Sequence, residues 1–128
     1  MKPTKGICVD AGTIGNPGLC FYRGLDLETG KLLFEADIGM ATNNIAEFLA
    51  CIHAIHYLKK NKLNLDIYTD SLTAIAWVRK KKVKSTFKGE ILERVIKACD
   101  YLFICGYFKI NKWETTIWGE IPADYGRK

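Results

Sequence analysis

Residues 6–18 read GICVDAGTIGNPG. Gly6 to Asp10 is a short β-like run that ends in a carboxylate. A Gly-rich stretch follows, in which Asn16-Pro17-Gly18 is a strong turn signal. Asp is depleted in strands, so an acid closing an apolar first strand asks for a chemical reason. Beyond the turn, Leu19 to Leu27 reads as a second strand, with Leu19, Phe21, Leu25 and Leu27 on one face. Glu28-Thr29-Gly30 is a hairpin-type turn, and Lys31 to Ile38 returns as a third strand. Three strands joined by short turns predict an antiparallel meander.

The clearest helix comes next. From Ile45, apolar Phe48, Leu49, Ile52 and Ile55 recur at helical spacing, and Asn44 is the expected N-cap. Leu63 to Thr69 alternates with period two and predicts a strand. Asp70-Ser71 opens a second helix carrying Leu72, Ile75 and Val78. A third helix spans Thr86 to Leu102, with Ile91, Val95, Ala98 and Leu102 as its stripe. Cys105 to Ile110 is the last strand. The order β-β-β-α-β-α-α-β predicts an α/β fold, a five-stranded mixed sheet with helices packed on its faces. The tail after Ile110 is rich in Trp, acid and Gly, and its pattern assigns no element.

With 128 residues the chain has room for one domain, spanning 1–128. Its composition, 48% hydrophobic and 26% charged, excludes a disordered chain and a stapled mini-protein. No apolar run approaches the ~20 residues that span a bilayer, and no secretory signal is visible. Five cysteines without a C-x-x-C pair argue against a zinc ribbon and for a reduced, cytoplasmic protein. The net charge of +5 is local, because residues 79–88 (RKKKVKSTFK) hold six cations and no acid. Such a patch points to a polyanion partner.

Four acids stand out: Asp10, Glu47, Asp70 and Asp124. Asp10 and Asp70 each end a strand. With those strands as parallel neighbours, both acids project from one end of the sheet, where ligands of open α/β sheets gather. Glu47 is expected in the first turn of the first helix. Clustered acids repel unless cations occupy the site, and Mg²⁺ takes carboxylate oxygens while keeping waters for a phosphate. Plainer readings exist. Asn44 and Glu47 fit a capping box, Asp70 could cap the second helix, and Asp124 could be a solvated tail residue.

VDAGTIGNPG, TNNIAEFLA and YTDS, in this order and spacing, resemble the ribonuclease H family, type 1. WGEIPADYGRK is similar to the ending of a short bacterial branch of that family. The resemblance implies a ribonuclease H-like fold and an endonuclease that cuts the RNA strand of RNA–DNA hybrids. It implies that Asp10, Glu47, Asp70 and Asp124 bind two Mg²⁺ ions, with Mn²⁺ able to substitute. It places Gly12, Asn16, Asn43 and Asn44 against the hybrid and Thr42 near a DNA-strand phosphate. The physics is compatible, since small amides reach 2′-hydroxyls across a wide, shallow groove. The partner expected is an RNA–DNA hybrid, with no membrane, no obligatory protein partner and a monomeric state.

The sequence departs from the family at three places. The family's loop His, about ten residues before the last Asp, is absent. His53 and His56 lie inside the first helix and cannot stand in for it. Glu114 occupies the position and is the candidate for proton transfer or product release, with Glu120 its competitor. The family's basic protrusion is shortened to Arg79, Lys80, Lys81, Lys82 and Lys84, still basic and assigned to nucleic-acid binding. The C-terminal helix that usually follows the last Asp has no counterpart in this sequence, and Trp113 and Trp118 are expected to pin the tail. Rival readings are a non-catalytic hybrid- or double-strand-binding module, and another nuclease of the superfamily. A pure binder gains nothing from four acids beside phosphates.

Overall fold

The hairpin around Asn16-Pro17-Gly18 sets the register of the first two strands. In the computed structural model, which describes residues 1–105 and 109–125, β1 runs Ile7–Ile14 and β2 Gly18–Asp26. They pair antiparallel from Ile14↔Leu19 to Ile7↔Asp26, which sets Asp10 opposite Arg23. β1 therefore continues through the Gly-rich stretch, four residues past the expected end at Asp10. β3, Leu32–Ala41, pairs with β2, and the meander holds as predicted.

Helix α1, Asn43–Lys60, crosses the sheet. Its N-cap is Thr42, whose Oγ1 accepts from the Ile45 N–H at 3.2 Å. This corrects the expected cap at Asn44, an exposed residue inside the first turn. Thr42 wins because its extended backbone lets the side chain reach back to the third helical N–H. Glu47 consequently lies beyond the first turn, and the capping-box reading does not apply to it. From Ile45 to Cys51 every residue is buried, so α1 forms the centre of the core.

β4, Ile67–Thr69, pairs parallel with β1 (Ile7↔Ile67, Cys8↔Tyr68). Residues 63–66, expected as strand, stay outside it: the Leu63 N–H bonds to Leu58 O and closes the end of α1. Ser71 caps α2, Leu72–Lys80, by accepting from the Ala74 N–H. Ala74, Ile75, Trp77 and Val78 are buried there, whereas Leu72, expected in the stripe, is exposed. α3 is Ile91–Cys105, buried along the predicted stripe. Its start lies later than Thr86 because residues 81–88 form an irregular link. Cys105, expected to open the last strand, belongs to this helix. The expected strand over 105–110 falls partly on residues 106–108, outside the described residues. β5 is Ile110–Lys112, parallel to β4, and the sheet order is β3-β2-β1-β4-β5.

Alternation divides the sheet into two faces. Ile7, Val9, Ala11, Cys20 and Tyr22 face α1, α2 and α3 and form the main core. Cys8, Leu25 and Leu27 face the other way and pack with Trp113, Ile121 and Ala123 of the tail. The face read from Leu19, Phe21 and Leu25 is thus the one turned away from the helices. The tail includes a short helix, α4 (Thr115–Trp118). Trp113 is fully buried, donates to Gly119 O at 2.9 Å, and meets Trp118 edge-on at 5.1 Å. The expectation that these two Trp pin the tail is met. All five cysteines are free. Among the described residues no helix is long and apolar enough to cross a membrane.

Candidate active site

Extending the β1–β4 register two residues past Cys8↔Tyr68 sets Asp70 level with Asp10 on adjacent parallel strands. Glu47 comes from α1 to the same point. One carboxylate oxygen from each of Asp10, Glu47 and Asp70 lies within 4.8 Å of the others. Ser71 already caps α2, so Asp70 is not needed for that. Asp10 and Glu47 are 6% and 4% exposed, which makes them the two buried acids among the described residues.

The electrostatics follow from this crowding. Burial first, then the charges of Asp10 and Asp70, push the Glu47 carboxyl well above its ordinary range. Burial also raises Asp70; Lys112, on β5, opposes the rise, while Asp124 and Glu120 add to it. Glu47 Oε1 is buried without a hydrogen-bond partner. An orphaned carboxylate oxygen facing two more carboxylates is a hard-cation donor set. The residues present fit divalent ions.

Asp124 arrives from the opposite side, on the tail. Its charge is felt at Asp70, so the tail returns to the sheet end. Arg23 donates from Nε to Ala123 O at 2.9 Å and from Nη2 to Asp124 O at 2.7 Å. Glu114 sits exposed before α4, and Glu120 is the tail acid, besides Asp124, whose charge reaches Asp70.

Beside the acids the GNPG turn meets α1. Asn16 Oδ1 accepts from the Asn43 N–H at 3.0 Å, tying the two segments together. Asn16, Thr42, Asn44, Trp77, Lys84, Ser85 and Thr86 line a polar cleft of about 480 Å³. Asn43 Oδ1 is buried without a partner. Of the basic strip, Lys84 lines this cleft, while the Lys81 ammonium lies 5.5 Å over the Phe103 ring of α3. Gly12 is buried inside β1. His53, half-buried, pairs with Tyr22, and the exposed His56 pairs with Tyr101.

Sequence reasoning missed Trp77, Ser85, Thr86, Lys112 and Arg23. Arg23 was within reach: counting the hairpin register back from the turn sets it opposite Asp10. The others depend on how the link after α2 folds back and on the β4–β5 pairing, which no local pattern encodes.

Residues 4–113 match the model of the family described as RNase H, and the chain belongs to that family. The match contains Asp10, Glu47 and Asp70 and ends before Asp124. Solved structures share the fold. RNase H1 of the halophilic archaeon Halobacterium salinarum is 20% identical, with 88% of this chain and 87% of that one covered and a TM-score of 0.57. LC11-RNase H1, solved in complex with an RNA/DNA hybrid, is 24% identical, with 84% and 83% covered and a TM-score of 0.54. The N-terminal RNase H domain of a Mycobacterium tuberculosis protein, solved as a fusion with maltose-binding protein, is 22% identical, with 84% of each chain covered and a TM-score of 0.52.

Proposed function

We propose that this protein is a metal-dependent endonuclease that hydrolyses the RNA strand of RNA–DNA hybrids, leaving 5′-phosphate and 3′-hydroxyl ends. It acts as a cytoplasmic monomer. The observation that carries the reading is the cluster of Asp10, Glu47 and Asp70 carboxylates, the first two buried, with Glu47 Oε1 left unpartnered. Membership of the RNase H family supplies the substrate class. The LC11 relative, bound to an RNA/DNA hybrid, is consistent with it.

Asp10, Glu47, Asp70 and Asp124 would hold two Mg²⁺ ions, for which Mn²⁺ can substitute. Such ions supply positive charge that activates a water and stabilises the charge building on a phosphodiester. The chain's own residues bind and orient the hybrid. Thr42 accepts from the Ile45 N–H, so its hydroxyl proton is still available to a phosphate oxygen. Asn16 uses its oxygen on α1 and keeps its NH₂ as a donor. The unpartnered Asn43 Oδ1 suits a 2′-hydroxyl or base amino donor. Asn44 completes this groove-facing set and Lys84 adds a cation to the cleft, while Gly12, buried in β1, has no side chain and would offer only its backbone. Arg79, Lys80, Lys81 and Lys82 contribute long-range attraction to the polyanion. Glu114 or Glu120 takes the role of the missing loop His, and the charge felt at Asp70 favours Glu120.

The test is incubation with labelled hybrid, duplex RNA and duplex DNA, each with Mg²⁺, Mn²⁺ or excess chelator. The expected result is metal-dependent cutting of the hybrid's RNA strand alone. Cleavage that survives chelation, or a 2′,3′-cyclic product, would overturn the proposal.

A further inference from the structure

The tail that carries Asp124 has no long helix among the described residues to support it, yet it returns to the sheet end. We propose that Arg23 is a positioning residue that clamps this tail and so sets Asp124 beside Asp10 and Asp70. Arg23 stands opposite Asp10 in the β1–β2 register, on the face turned away from the helices. Its guanidinium engages three successive tail residues. Nε donates to Ala123 O at 2.9 Å, Nη2 donates to Asp124 O at 2.7 Å, and Cζ lies 4.5 Å from the centre of the Tyr125 ring. Phe21, two residues earlier on the same face, meets Tyr125 edge-on at 4.8 Å. The Asp124 N–H bonds to Ile121 O at 2.9 Å and closes a turn just before the clamp.

The arrangement fixes the backbone on both sides of Asp124. Upstream, Ile121 and Ala123 are buried with Trp113 and Cys8. Downstream, Tyr125 is held between Arg23 and Phe21. Arg23 spends two of its donors on main-chain carbonyls of the tail. The planar fork of Arg can serve two consecutive carbonyls and stack on a ring at once, whereas Lys offers a single point charge. A guanidinium near the acids also offsets part of their mutual repulsion. That second effect depends on charge alone, so Lys should preserve it, and the two effects can be separated.

The role in the site rests on the reading of Asp124 as a metal ligand; the clamp itself does not. The experiment uses the full chain as wild type, Arg23→Ala, Arg23→Lys and Asp124→Asn. Hydrogen exchange is followed in the peptide covering residues 119–125, and Mn²⁺ binding is measured calorimetrically without nucleic acid. Arg23→Ala is expected to speed tail exchange by about tenfold or more, the loss of at least one charge-assisted hydrogen bond, while α1 and β1 stay protected. In tail exchange Arg23→Lys should behave like Arg23→Ala, because a point charge cannot serve both carbonyls. Mn²⁺ affinity should fall about as far as in Asp124→Asn, and Arg23→Ala/Asp124→Asn should bind no more weakly than Asp124→Asn alone, because both act through one ligand. In hybrid cleavage kcat should fall with KM little changed. Unchanged tail exchange in Arg23→Ala overturns the clamp, and full rescue by Lys replaces it with a charge effect. Normal Mn²⁺ binding by Asp124→Asn overturns the reading of Asp124, and with it Arg23's role in the site, while faster tail exchange still establishes the clamp. Should Arg23→Ala lose protection throughout the sheet, Arg23→Gln carries the same comparison.

Discussion

Glu47 is held where water cannot solvate it and where two other carboxylates repel its charge. Function has put it there at the expense of stability. Replacing it by Gln keeps the volume and removes the charge. Glu47→Gln should therefore raise metal-free stability at pH 8 by about 1 kcal/mol, roughly 4 °C in Tm for a chain of this size, and abolish cleavage. Thermal melts in chelator with and without the substitution check this; a lower Tm for Glu47→Gln would mean that the carboxylate is satisfied in the folded state. Asp10, Glu47 and Asp70 were legible in the sequence because each closes a strand or enters a helix beside a readable signal. Thr42 was not, because Asn44 is as good a cap by composition, and only the backbone conformation of Thr42 decides between them. The place of Arg23 opposite Asp10 was readable from the hairpin register, but its partners are backbone carbonyls a hundred residues away, which leave no pattern.

At the scale of elements, the three long helices were legible, while the starts of the short strands and the short helix α4 were not. Periodicity gave the buried stripe of α3 residue for residue, since a helix repeats its own geometry. β4 and β5 are three residues each, and pairing across the sheet, not local pattern, sets where they begin. The basic strip shows the same limit. α2 ends at Lys80, and Lys81 takes a left-handed conformation (φ 57°) that redirects the chain. Lys81 then lies on Phe103 of α3, while Lys84 reaches the cleft with Asn16 and Thr42. The cations should thus differ in effect. Lys84→Ala should flatten the salt dependence of hybrid binding by nearly one unit of log–log slope, the release of about one counterion. Lys81→Ala should leave it nearly unchanged. Binding titrations from about 50 to 200 mM salt separate the two, and equal slopes for both variants would mean that the strip acts only as a diffuse field.

The whole molecule is a sheet with a heavy core on one face and a light one on the other. The light side depends on Trp113, fully buried against Cys8, Ile121 and Ala123. Trp113→Ala should cost about 3–5 kcal/mol and release the tail, so activity should fall even at temperatures where the sheet stays folded. The heavy side holds an imbalance of charge. His53 on α1 stacks on Phe34 of β3 at 4.1 Å and pairs with the Tyr22 hydroxyl of β2 at 2.8 Å. Around it, His56, Arg94 and Lys97 line the same cavity of about 340 Å³, and among the described residues no carboxylate does. Burial, then His56 and Arg94, lower the His53 pKa below its ordinary 6.5. The unfolded chain therefore takes up the proton first as pH falls. Between that value and the lower folded one the unfolded state binds more protons, so stability rises with pH and is lost on acidification. Denaturant melts from pH 7.5 to 5 should show this decline. His53→Gln, which keeps an acceptor for Tyr22 but cannot titrate, should flatten it. An identical pH slope in the variant would assign the acid sensitivity to other groups and leave His53 solvated enough to protonate in place.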